Sequence, residues 1–226
     1  MNLKQRFSLL TSAAVLLVLL ACGGAATGPG ADLPPASKGL VYEDPSSTDW
    51  RLVKNAASTD THLVLDLVGP GGTKFRGVGF NLLSDGKVAY ARLSTAGYVQ
   101  DTGVFKLTST FANYPVEPVL LAGGLKQGGK LLSVGIFQKD RYRAAVAVDK
   151  PVLQVAFDFD PAKTAALAPG TVVPLTITKA KVVPASIGTM PADPSNDDYS
   201  NYYSVIMAYR NSLVPVQIAV GTLKTK

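Results

Sequence analysis

A few side chains in this chain have types and spacings that could do chemistry. Its only cysteine, Cys22, stands where the apolar run "VLLVLLA" gives way to "GG". A thiol can be a nucleophile or can accept a covalent group, but without a second cysteine it cannot close an intrachain disulfide. Its only histidine, His62, is the one base around which a Ser-His-Asp or Cys-His constellation could form. No G-x-S-x-G elbow accompanies it, and its setting in "THLVLDLVG" is that of a half-exposed strand residue. Asp158 and Asp160 in "FDFD" would stand about 6.6 Å apart, Cα to Cα, on a strand. Paired glycosidase carboxylates span roughly 5 to 9.5 Å, so the spacing permits such a pair. Those carboxylates flank a cleft and usually come from different strands, so a solvated strand face is the simpler reading and an enzyme is the alternative.

The densest set of oxygen ligands is "DPSNDDYSNYY", Asp193 to Tyr203. Asp193, Asp197 and Asp198, with Asn196, are a weak calcium candidate, because the order of an EF-hand loop is missing. Tyr199, Tyr202 and Tyr203 offer flat apolar faces with polar tips, suited to stacking on sugar rings. They are the candidate ligand-binding residues. "GLKQGGKL", Gly124 to Leu131, matches a phosphate-binding loop as far as Lys130, but Leu131 stands where Ser or Thr must hold magnesium. A glycine-rich hairpin turn is expected there instead. "QKDRYRA", Gln138 to Ala144, groups three cations around Tyr142 as a solvated rim or a site for an anionic headgroup. None of these patterns requires a cofactor, and no catalytic residue is assigned.

The elements that must position these groups begin with the N-terminal segment. Met1 to Ser8 carry Lys4 and Arg6 without an acidic residue, and Leu9 to Ala21 are almost wholly apolar. That is a charged region followed by a hydrophobic one, the order of an export signal. As a helix the apolar run spans roughly 20 Å, too short for a bilayer core of about 30 Å. Leu19-Leu20-Ala21-Cys22 resembles the lipobox of bacterial lipoproteins, although a smaller or β-branched residue usually stands where Leu20 does. The resemblance implies removal of residues 1–21, a diacylglyceryl group on the Cys22 thiol, and acylation, such as palmitate, of the freed amine. Two or more chains hold a protein stably to a membrane without spanning it. Gly23 rather than Asp after the cysteine implies the outer membrane in a Gram-negative source. Residues 22–40, rich in Gly, Ala and Pro, are expected to be a flexible tether.

Residues 41–226 are long enough for one domain with a real core. Formal charge is +6, with Lys4 and Arg6 supplying two of the cations. The remaining excess is modest and scattered, which argues against nucleic acid as a partner. Strict alternation marks strands at His62–Val68, with Leu63, Leu65 and Leu67 inward, and at Leu153–Asp160, with Leu153, Val155, Phe157 and Phe159 inward. Further strands are expected at Trp50–Val53, Gly77–Leu83, Lys87–Leu93, Val104–Phe111, Val119–Gly123, Lys130–Gln138, Val172–Val183 and Leu213–Leu223. Turn signals separate them: "GPGGT", "SDGK", "KQGGK" and "APGT". The expected fold is all-β, an antiparallel β-sandwich or jelly roll of about nine or ten strands with one or two short helices. Those helices are "PAKTAALA" and a segment from Tyr202.

The order "LVLDLVGPGGTKFRGVGFNLL", "LLSVGIF", "VLQVAFDFDPA" and "APGTVVPLTITKAKVVPAS" resembles the cohesin-like β-sandwich shared by cohesins and some carbohydrate-binding modules. Cohesins bind dockerins and related modules bind polysaccharide, so the resemblance implies a non-catalytic binding domain. No stretch here resembles a dockerin, and fold alone does not fix function. The expectation is a membrane-anchored protein of the cell envelope presenting that domain to an envelope protein or a polysaccharide. A carbohydrate-active enzyme and a purely structural envelope protein are the alternatives.

Overall fold

A computed structural model describes residues 35–93, 104–108, 119–137, 145–186 and 210–226. The chain divides into two units, residues 1–33, which lie outside the described residues, and Pro34–Lys226. The second unit is all-β, with its strands paired antiparallel in three sheets.

A five-stranded sheet joins β2 (Arg51–Lys54), β3 (His62–Val68), β10 (Leu153–Asp158) and β5 (Ala89–Tyr90), with β6 (Phe105–Leu107) also on β10. A six-stranded sheet runs β13 (Val214–Pro215), β12 (Leu175–Pro184), β4 (Lys74–Ser84), β8 (Leu131–Phe137) and β7 (Val119–Lys126), with β9 (Val146–Ala147) on the end of β4. The third sheet pairs β1 (Leu40–Glu43) with β14 (Thr222–Thr225) and β14 with β11 (Val172–Val173). The helix α1 is a single turn, Pro161–Thr164.

The period of two does the folding. In the antiparallel register of β3 and β10, Leu67 faces Leu153, Leu65 faces Val155 and Leu63 faces Phe157, so all six side chains share one face. On the six-stranded sheet Val78, Phe80 and Leu82 of β4 meet Ile136, Val134 and Leu132 of β8 in the same way. These two inner faces, with Leu40, Tyr42 and Leu223 of the third sheet, form one buried cluster. Burying a Leu or Phe side chain fully contributes about 1.5 to 3 kcal/mol, so this shared face is the main stabilising element.

Two tyrosines hold the layers in register. Tyr90 of β5 stacks on Phe157, centroids 4.7 Å apart, and its hydroxyl donates to the Leu82 carbonyl across the sandwich at 2.6 Å. Tyr42 of β1 donates to the Leu52 carbonyl at 3.0 Å and accepts from the Gly221 amide at 2.6 Å. Burial pushes the Tyr42 phenol up to about 12, an effect that its hydrogen bond to Gly221 partly offsets and Asp44 adds to. Burial likewise raises Tyr90, against hydrogen bonds that favour its ionised form.

Several expected elements differ in extent. Val172–Val183 is broken at Pro174, which cannot donate to a ladder, into β11 and β12 of different sheets. Leu213–Leu223 is likewise broken after Pro215 into β13 and β14, the chain between them bonding from Val216 to Ala180 and from Ala219 to Trp50. Lys87–Leu93 contains only Ala89–Tyr90 as strand, and the end of Val104–Phe111 lies outside the described residues. The expected tether overlaps the folded unit at its end. Ser37 is 2% exposed, its hydroxyl donates to Thr164 and its amide to Leu167, and Leu40 belongs to the core. Arg210 and Asn211 are helical, while the start of the helix expected from Tyr202 lies outside the described residues.

Candidate functional site

His62 opens β3, directly across the ladder from Asp158, the last residue of β10. Its Nδ1 lies 2.7 Å from Asp158 Oδ1, with both side chains partly exposed. The His62 amide donates to Thr59 Oγ1, which fixes the entry into the strand. The sheet thus builds a histidine–carboxylate pair from residues 96 positions apart.

Asp160 does not share the strand face with Asp158 that the spacing allowed. β10 ends at Asp158, and Asp160 is the N-cap of α1, its Oδ1 accepting from the Ala162 amide at 3.0 Å and its Oδ2 lying 3.2 Å from Lys163 Nζ. An N-cap carboxylate satisfies amides that the first helical turn leaves unpaired. Asp158 and Asp160 therefore serve different local structures, one pairing a histidine and the other starting a helix.

The outer face of the five-stranded sheet is more deeply covered than alternation implied. Val64 and Ala156 are buried together with Ala91, whose amide donates to the Ala156 carbonyl and carries the chain across that face, and Leu93 packs against them. Asp66, on the same face as Val64, is 6% exposed. Its two oxygens accept one amide each, from Asn55 Nδ2 at 2.7 Å and from Gln154 Nε2 at 2.9 Å. Gln154 sits opposite Asp66 on β10, and Lys106 sits opposite Gln154 on β6, so Asp66, Gln154 and Lys106 form one cross-sheet row. A buried carboxylate needs such partners, since leaving it bare is costly.

The glycine-rich "KQGGK" segment is the β7–β8 hairpin turn, as its composition predicts. Gln127, Gly128 and Gly129 take successive positive φ values of 53°, 64° and 83°, and the Gly129 amide donates to Lys126 O. The strand β8, not a helix, follows it, so the partial phosphate-loop match has no strand-to-helix setting.

Charge segregation is the feature that sequence reading missed. Strands β4, β7, β8, β9, β12 and β13 of the six-stranded sheet contain Lys74, Arg76, Lys126, Lys179 and Lys181 but no Asp or Glu. On the outer face of that sheet, Thr178, Asn81, Ser133 and Gly124 form one row. Thr176, Leu83, Leu131 and Lys126 form the row on one side of it, and Lys181 with Gly79 stands on the other.

Cys22, the tyrosines Tyr199, Tyr202 and Tyr203, the calcium candidate Asp193, Asp197 and Asp198, and the segment from Gln138 to Ala144 all lie outside the described residues. Among the described residues no three His, Cys, Asp or Glu side chains converge as metal ligands. No helix among them is long and apolar enough to cross a membrane. No family model, curated protein or solved structure matches the chain.

Proposed function

We propose that this chain is a bacterial envelope lipoprotein, anchored through acyl chains on Cys22, that presents its β-sandwich as a non-catalytic binding module. The observation that carries the reading is the sequence from Lys4 to Cys22: a charged start, an apolar run too short to span a bilayer, and the only cysteine of the chain directly after Ala21. An unpaired thiol is a liability in an oxidising compartment unless it is consumed. Lipidation consumes it.

Two features support binding over catalysis. Asp160 is engaged as a helix cap off the strand that carries Asp158, which favours a structural role for it over a paired-carboxylate one. The His62–Asp158 pair lies in a rigid ladder, where the carboxylate orients the ring, and a rigid sheet is a suitable scaffold for a complementary surface. The cohesin-like order of segments points the same way.

Fractionation with acyl labelling tests the anchor. Wild type should take up labelled fatty acid and sediment with membranes, whereas Cys22→Ser should accumulate as an unlabelled precursor. Equal labelling of the two would refute the lipoprotein assignment. Release of reducing sugar from polysaccharide by the purified protein, abolished by Asp158→Asn, would refute the non-catalytic half.

A further inference from the structure

The cations of the six-stranded sheet are far apart in sequence, and strand pairing gathers them. Arg76 is tied to the scaffold, its Nε donating to the Ala185 carbonyl at 2.9 Å. Lys126, Lys179 and Lys181 are different. All three are exposed, and none has a carboxylate partner among the described residues. The ion pairs that do form, such as Lys224–Glu43 and Lys226–Asp60, lie off this sheet. Three exposed lysines on one sheet, without a carboxylate partner among the described residues, give it a positive field that a polyanion can lower in energy.

Lys179 adds an independent observation. It stands in β12 where the register with β4 slips between Thr178 and Lys181, and its φ is 55°. Bulges commonly place glycine in that left-handed conformation, which an L side chain adopts at a cost. Strain of this kind persists where the surroundings impose it, and it clusters at functional positions.

The surface between the lysines sets the kind of anion. Thr178, Asn81 and Ser133 put two hydroxyls and an amide in one row, next to Gly124, where a Cβ would meet nothing within 4 Å. Among the described residues, the exposed positions of β12 and β7 on this face, Thr176, Thr178, Lys181 and Lys126, are polar, while Leu125, 39% exposed, pairs with core residue Leu132 and so belongs to the other side of β7. A bilayer surface takes up apolar side chains, and single-stranded nucleic acid stacks on exposed aromatics. Among the described residues, the aromatic on this face, Phe137, is 1% exposed. A hydroxylated, negatively charged chain fits best.

We infer that the outer face of the six-stranded sheet binds an anionic polysaccharide, lying across the diagonal from Lys181 to Lys126. Three strand spacings and two side-chain repeats make that diagonal about 20 Å. The inference rests on the binding-module reading and supplies its ligand class.

Mature protein in nonionic detergent should be retarded in gels containing polygalacturonate, and added salt should weaken the retardation. Exposed charge pairs change affinity up to about fivefold each. Lys126→Gln with Lys181→Gln should therefore weaken binding about tenfold. Lys179→Gly should weaken it about threefold while raising the thermal midpoint, a combination that a general loss of structure cannot give. Absence of retardation by polygalacturonate, or retardation that these variants leave intact, would overturn the inference. Equal retardation by neutral β-glucan, unchanged in the variants, would overturn it while leaving the binding-module reading in place. A preference for phosphatidylglycerol over phosphatidylcholine vesicles, or for oligothymidylate, that the variants lose without any effect of polygalacturonate would assign the face to lipid or nucleic acid and also overturn it.

Discussion

The phenol of Tyr42 holds three pieces of backbone together, and its ionisation should be visible in stability. It bridges the Leu52 carbonyl and the Gly221 amide from a buried position, and burial lifts it to about 12. An unfolded tyrosine ionises near 10. The folded form is therefore favoured in full below pH 10, and that advantage drains away between about pH 10 and 12, by about 2 to 3 kcal/mol. Urea unfolding at stepped alkaline pH should show this fall, with the raised Tyr90 contributing in the same direction. Tyr42→Phe should start about 1 to 3 kcal/mol lower at pH 8 and fall less steeply, because the titrating group is gone. Asp66→Ala should cost about 2 to 3 kcal/mol in the same assay, since the Asn55 and Gln154 amides lose their acceptor. None of these pairings is legible in the sequence. Asp158 is 96 residues from His62, and Gln154 is 88 from Asp66, so no local period links them.

Elements fared better where one strand carries its own signal. Leu63, Leu65 and Leu67, and Leu153, Val155 and Phe157, point inward as alternation predicts, because one buried face imposes a period of two. The strand β1, Leu40–Glu43, escaped because four residues beside a Gly- and Pro-rich stretch carry too short a pattern. Its partner β14 lies at the other end of the chain. That pairing brings Gly221 so close to Glu43 that a Cβ would run into the Glu43 carbonyl and the Tyr42 ring. Gly221→Ala should therefore cost about 3 kcal/mol or more, and thermal unfolding should show a correspondingly large drop in midpoint. Lys179→Gly should move the other way, raising stability by up to about 1 kcal/mol, because glycine relieves a left-handed residue at φ 55°.

At the scale of the whole molecule, the strands of the six-stranded sheet carry lysines without a carboxylate, while the other two sheets mix both charges. A chain whose excess charge looks scattered along the sequence acquires one cationic face only when Lys126 and Lys181 are brought onto strands of the same sheet. The sandwich itself was foreseeable from composition, turns and alternation. The sorting was not, because it depends on which strands pair. The export signal and lipid anchor proposed for residues 1–22, by contrast, rest on sequence alone, and they would decide where the sandwich works. Mass analysis of the N-terminal peptide from membrane-extracted protein tests this most directly. The account predicts a mature chain beginning at Cys22 and carrying a thioether-linked diacylglyceryl group. A mature chain that begins elsewhere, or a Cys22 with a free thiol, would contradict it.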